Sequence, residues 1–156
     1  MTTDSITRND FMKKPSPYLT FAGTIPFIAC AALITLGIDA VQALGATKHI
    51  LAVYGLVIAT FMAGAQWGNH LSLADDNAWA IKLPIVSNII ALALWLGFLT
   101  LSTTGFIWLL IVSFISLLLI DYGLYKAQII SANYFTVRKY VTLIVVVSLI
   151  VAAVQL

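Results

Sequence analysis

Five apolar stretches, each about as long as a bilayer is thick, leave this chain almost no choice of solvent. They run over 18–37 (YLTFAGTIPFIACAALITLG), 50–71, 83–101, 106–125 and 140–156. A helix needs roughly 20 mainly apolar residues to cross a hydrocarbon core. Only 9% of the 156 residues are charged and 62% are hydrophobic, whereas a soluble domain carries about 25% charged residues. The fold class that follows is all-α: one integral membrane bundle of five transmembrane helices over 18–156, preceded by an arm at 1–17. The connection STTG at 102–105 is short, and tight connections make successive helices antiparallel neighbours in an up-down bundle.

The cations set an orientation. With five spans, the arm and the second and fourth loops share one side, which holds Arg8, Lys13, Lys14, Lys82, Lys126, Arg138 and Lys139. The other side holds Lys48 alone. Positive charge is retained in the cytoplasm, so the N-terminus is expected inside, the C-terminus outside, and the protein in a bacterial inner membrane. The first run is longer than the roughly 7–15 apolar residues of a signal peptide, and AALITL continues it past Cys30. It reads as a retained helix. A lone cysteine excludes an internal disulfide and a cysteine zinc site. Eight scattered cations against six acids do not make a nucleic-acid surface.

Two features break the apolar monotony. Pro26 lies near the middle of the first span, three residues after Gly23. A proline there removes a backbone donor, so a kink is expected, with Thr20 or Thr24 near enough to satisfy a freed carbonyl. Either it is a packing bend, or it opens a cavity. The second feature is FMAGAQWGNHLSLADDNAW at 61–79, where the second span ends in amides and an imidazole. At 100° per residue Gln66, Asn69 and His70 share a face with Gly55, Ala59, Met62 and Ala63. Gly64 and Gly68 lie opposite, at a spacing that lets another helix backbone approach closely.

The up-down order brings other polar groups to the depth of that helix end. Asn88 stands near the start of the third span, Asp121 and Tyr125 near the end of the fourth, and Arg138 before the fifth. Gln66, Trp67, Asn69, His70, Asn88, Asp121, Tyr125 and Arg138 are therefore the candidate ligand-binding set, because polar groups within spans are expensive and mark function. The plainer reading makes Trp67, Tyr122 and Tyr125 interfacial belt anchors and gives Gln66 and Asn88 to interhelical hydrogen bonds. Metal ligation by His70, Asp75, Asp76 and Asp121 lacks a recognised spacing, and Asp75 suits a helix cap instead. No residue is nominated as catalytic. There is no nucleophile elbow, His49 is on the opposite side from His70, and the chain contains no glutamate. No cofactor motif is present.

AGTIPF at 22–27, FMAGAQWG at 61–68 and DYGLY with YFTVRKYVTLIV between 121 and 146 together resemble the DUF3429 family, which includes the eukaryotic transmembrane protein 69. The resemblance matches Trp67, Gly68, Asp121, Arg138 and Thr142, and departs from the family pattern at Gln66 and at ANYF. It implies a small multi-span membrane protein of undetermined activity. The translocator-protein (TSPO) ligand-binding family shares the helix number and length, but its tryptophan-proline patterns are not found here.

Three functions compete. The first is non-enzymatic: binding of membrane lipid, an apolar ligand or a quinone at the polar cluster, or an accessory role toward a homodimer or membrane-complex partner. The second is a small proton- or solute-coupled transporter, with Pro26 as gate and a His70–Asp121 relay. The third, an enzyme acting on a lipid headgroup, lacks a nucleophile or metal set.

Overall fold

The structure is a computed structural model that describes residues 17–71, 73, 74 and 77–156. The arm through residue 16, with Arg8, Lys13 and Lys14, lies outside the described residues, as do Asp75 and Asp76. Five helical spans are long and apolar enough to cross a membrane. The first is two helices, α1 (Pro17–Ala22) and α2 (Ile25–Thr35). The others are α3 (Thr47–His70), α4 (Ala78–Thr100), α5 (Thr103–Lys126) and α6 (Ala132–Gln155). The only β-strands among the described residues are a short antiparallel pair, β1 (Ala40–Val41) with β2 (Gly45–Ala46), in the first loop. Ala43 and Gly45 make its turn at positive φ. Thr47 fastens the loop to α3: its amide donates to Asp39 O and its hydroxyl to Ile38 O, each at 2.8 Å.

The surface is inverted relative to a soluble domain. Leu92, Trp95, Leu96, Leu99, Val112, Leu119, Val147 and Val154 all face outward, as suits a protein whose solvent is lipid tails. Since lipid is as apolar as leucine, burial alone does not hold such helices together; close packing and interhelical hydrogen bonds do. The core shows both. Phe27, Leu51, Ala59, Leu94, Phe106, Leu110, Phe114 and Leu149 interlock at its centre, and Phe27 meets Tyr54 and Phe114 edge-on at 5.1 and 5.8 Å. Between helices, the Ser87 hydroxyl donates to Ala63 O at 2.8 Å.

Close approach is achieved at other glycines than the spacing suggested. A Cβ on Gly64 or Gly68 would meet nothing, and both face outward. On Gly55 it would meet Leu110, on Gly97 Leu109, and on Gly123 the Trp79 ring at 2.6 Å. The buried stripe of α3 runs through Ala52, Gly55, Ala59, Ala63 and Gln66. Four-residue glycine spacing clears room for a helix without supplying one. In this chain α2, α4 and α5 pack on the other flanks of α3.

The first span is broken two residues before Pro26. Gly23 and Thr24 form a turn between α1 and α2, with Pro26 in the first turn of the second piece. The Thr24 hydroxyl donates to Phe21 O at 2.7 Å, and the Tyr54 hydroxyl reaches across from α3 to Gly23 O at 3.0 Å. Backbone carbonyls released by the break are thus capped from within and from a neighbouring helix, as lipid requires.

Helices α4 and α6 begin earlier than their apolar runs, at Ala78 rather than 83 and at Ala132 rather than 140. Hydropathy measures where hydrocarbon begins, not where a helix does. Asn77 caps α4 by accepting from the Trp79 amide, and Ser131 caps α6 by accepting from that of Tyr134. The helix even runs through Pro84. Around this end Lys82 lies over Trp79, Lys126 over Tyr122 and Lys139 over Tyr140, at 5.8, 5.0 and 6.0 Å. Cation and ring can share such an interface because one end of each is apolar and the other wet.

Candidate functional site

Three helices drive a charged network into the protein interior. Asp121 on α5 is fully buried, Gln66 on α3 is 2% exposed and Arg138 on α6 is 7% exposed. Arg138 Nε donates to Asp121 Oδ2 at 2.7 Å. Gln66 Nε2 donates to Asp121 Oδ1 at 2.5 Å. The carboxylate can only accept, so it fixes which end of the Gln66 amide faces it. The outward Gln66 Oε1 then accepts from Asn69 Nδ2 at 3.3 Å. On the far side of the guanidinium, Nη1 lies 3.2 Å from Met62 Sδ. Both carboxylate oxygens are engaged and the two charges cancel, which is how an ion pair survives in a low-dielectric interior.

The early start of α6 is what buries Arg138. Counted from its apolar run, this residue precedes the helix and reaches water; counted from Ala132 it is more than a turn inside. Asp121 likewise lies more than a turn before the end of α5 at Lys126.

Beside this network is a cavity of about 390 Å³. One wall is the broken first span, with Thr20, Gly23 and Phe27; the others include Gln66, Arg138 and Thr142. The break therefore borders a cavity and is more than a bend. Leu19 and Phe61, 76% and 74% exposed, flank the opening. Both rim side chains are apolar, and Phe61 stands roughly 14 Å along α3 from its end at His70. Thr142, matched by the family resemblance but left out of the candidate set, carries a further feature: among the described residues, its Oγ1 is the one buried side-chain polar atom without a hydrogen-bond partner. Its position one turn after Arg138 was the available signal.

Of the sequence-nominated set, Gln66, Asp121 and Arg138 come together, with Asn69 at their edge. The rest lie elsewhere. Trp67 is 43% exposed, and His70 packs edge-on to its ring with a ring nitrogen on the Trp67 carbonyl. No His70–Asp121 pair forms, because Asp121 faces Gln66 and Arg138. Tyr125 stacks on Phe135 at 5.1 Å instead of joining Asp121. Asn88 faces outward: the buried edge of α4 runs through Leu83, Ser87, Ile90 and Leu94, one step around from it. Among the described residues, no group of three or more His, Cys, Asp or Glu gathers to hold a metal.

A five-span helical bundle, apolar outside and pinned inside by a buried ion pair beside a cavity, defines a multi-span membrane protein. Comparison gives its family. Residues 12–154 match the model of DUF3429, described as a protein of unknown function, and the chain belongs to that family. No curated protein and no solved structure matches it.

Proposed function

We propose that this chain is a non-enzymatic protein of the bacterial inner membrane, N-terminus in the cytoplasm, that binds an apolar or amphiphilic ligand from the bilayer. The observation that carries this reading is the cavity between the broken first span, α3 and α6, which has the exposed apolar Leu19 and Phe61 at its rim and Gln66, Arg138 and Thr142 on its wall. Binding sites for small molecules are mostly apolar hollows of roughly 300–1,000 Å³ with a few convergent polar groups. The polar cluster at the ends of α3, α5 and α6 supplies those groups. A transporter reading is less favoured, since both Asp121 oxygens are held by Arg138 and Gln66 and no relay to His70 exists. A translocator-protein-like reading rests on helix number and length alone.

Native mass spectrometry of gently extracted protein tests the reading. A single bound lipid or quinone of defined mass is expected, and it should be lost from Ala65→Phe, which fills the opening from a lipid-facing position. A parent protein that carries no ligand would defeat the proposal. The same spectrum shows whether the protein is a monomer or a dimer. Orientation is tested separately. Cysteine placed at Lys126 should resist membrane-impermeant thiol reagents in whole cells and react after lysis, whereas labelling from outside reverses the topology.

A further inference from the structure

Building on that ligand-binding reading, we infer that the cavity recognises a neutral amphiphile through a carbonyl group, as in a quinone or a glycerol ester, and disfavours lipids with an anionic head. A guanidinium has five N–H groups. Arg138 directs one to Asp121 and one to the Met62 sulfur, a weak acceptor. The other three have no acceptor among the described residues, and Arg138 lies on the cavity wall.

Thr142 adds a fourth donor. Hydroxyls inside membrane helices ordinarily satisfy themselves on the carbonyl one turn back. Thr35, Thr60, Thr100, Ser113, Ser116 and Ser148 all do so here, at 2.7–2.9 Å. Thr142 does not, although it is 2% exposed and equally placed to use the Arg138 carbonyl. A buried hydroxyl left without a partner loses its water at a cost and gains nothing from the protein. An acceptor brought in by a ligand at this wall would complete it.

The charge balance then selects among acceptors. Arg138 is already neutralised by Asp121 at 2.7 Å, so the wall offers hydrogen-bond donors without net positive charge. An anionic headgroup brought there would be an uncompensated charge in an apolar setting, which is strongly unfavourable. A ketone or ester oxygen takes up the same donors with no such penalty. The opening between Leu19 and Phe61 admits a molecule already dissolved in the bilayer, tail outward and carbonyl inward.

The test titrates the full-length protein in detergent with three probes: decylubiquinone, dioctanoylglycerol and dioctanoyl phosphatidate. One or both neutral probes should bind one-to-one, at least about tenfold more tightly than phosphatidate, given the charge-burial penalty. Whichever neutral probe binds identifies the source of the carbonyl. Thr142→Val, which keeps shape and removes the hydroxyl, should weaken that binding about fivefold to tenfold. Thr142→Ser should retain it. Phosphatidate binding as tightly as the neutral probes, or Thr142→Val binding like the parent, overturns the inference. A copurified ligand that neither neutral probe displaces overturns it too, while leaving the ligand-binding reading intact. A protein that takes up no probe and carries no ligand defeats both.

Discussion

Truncation of Asp121 to alanine is expected to destabilise the bundle by about 3–5 kcal/mol, the usual effect of removing one partner of a buried ion pair. The charge on Arg138 would then stand in a largely apolar interior with the Met62 thioether as its remaining hydrogen-bond partner, and the Gln66 amide would lose its acceptor as well. Most of the loss is the desolvated cation rather than the missing attraction. The double replacement Asp121→Leu with Arg138→Met should therefore recover most of the lost stability, since no charge is left unpaired and only the Gln66 amide lacks its acceptor. Equilibrium unfolding of both variants in mixed micelles measures this. A single-variant loss under about 1 kcal/mol is what a solvated surface pair would give, and would mean that water reaches Asp121.

The second large effect is at Phe27, fully buried where α2, α3 and α5 meet. Phe→Ala in a core typically costs about 3–5 kcal/mol from lost transfer energy plus the cavity left behind. In lipid the transfer contribution falls away and the packing contribution remains, so a loss of about 3 kcal/mol is expected, at the low end of that range. Because Phe27 also lines the existing cavity, its truncation enlarges that space. The same unfolding assay should show the deficit shrinking when a bulky apolar additive is supplied, since added contacts replace those of the ring. A deficit that no additive reduces would separate Phe27 from the cavity.

Hydropathy alone announced the five spans because a bilayer imposes one length and one polarity on whatever crosses it. Composition fixed the solvent, and the short motifs around Trp67, Asp121 and Arg138 resembled the family that the comparison then matched over residues 12–154. Pro26 and Gly23 marked the break in the first span correctly, because a missing amide and a missing Cβ act locally. Helix starts at Ala78 and Ala132 were not legible from hydropathy. They depend on caps by Asn77 and Ser131, in segments no longer in contact with hydrocarbon.

The site was legible in kind and not in membership. Polar residues near span ends were visible in the sequence, yet a one-dimensional depth cannot say which of two side chains 100° apart faces a neighbour. That rotation put Ser87 inside and Asn88 outside, and gave close packing to Gly55, Gly97 and Gly123 while Gly64 and Gly68 face outward. The sequence by itself determined a five-span membrane bundle and a polar layer near one end, since hydrophobicity and chain order set both. Only the tertiary structure decided that Asp121 pairs with Arg138 and Gln66 beside a cavity. That choice depends on how α3, α5 and α6 are turned about their axes, which packing fixes and composition does not.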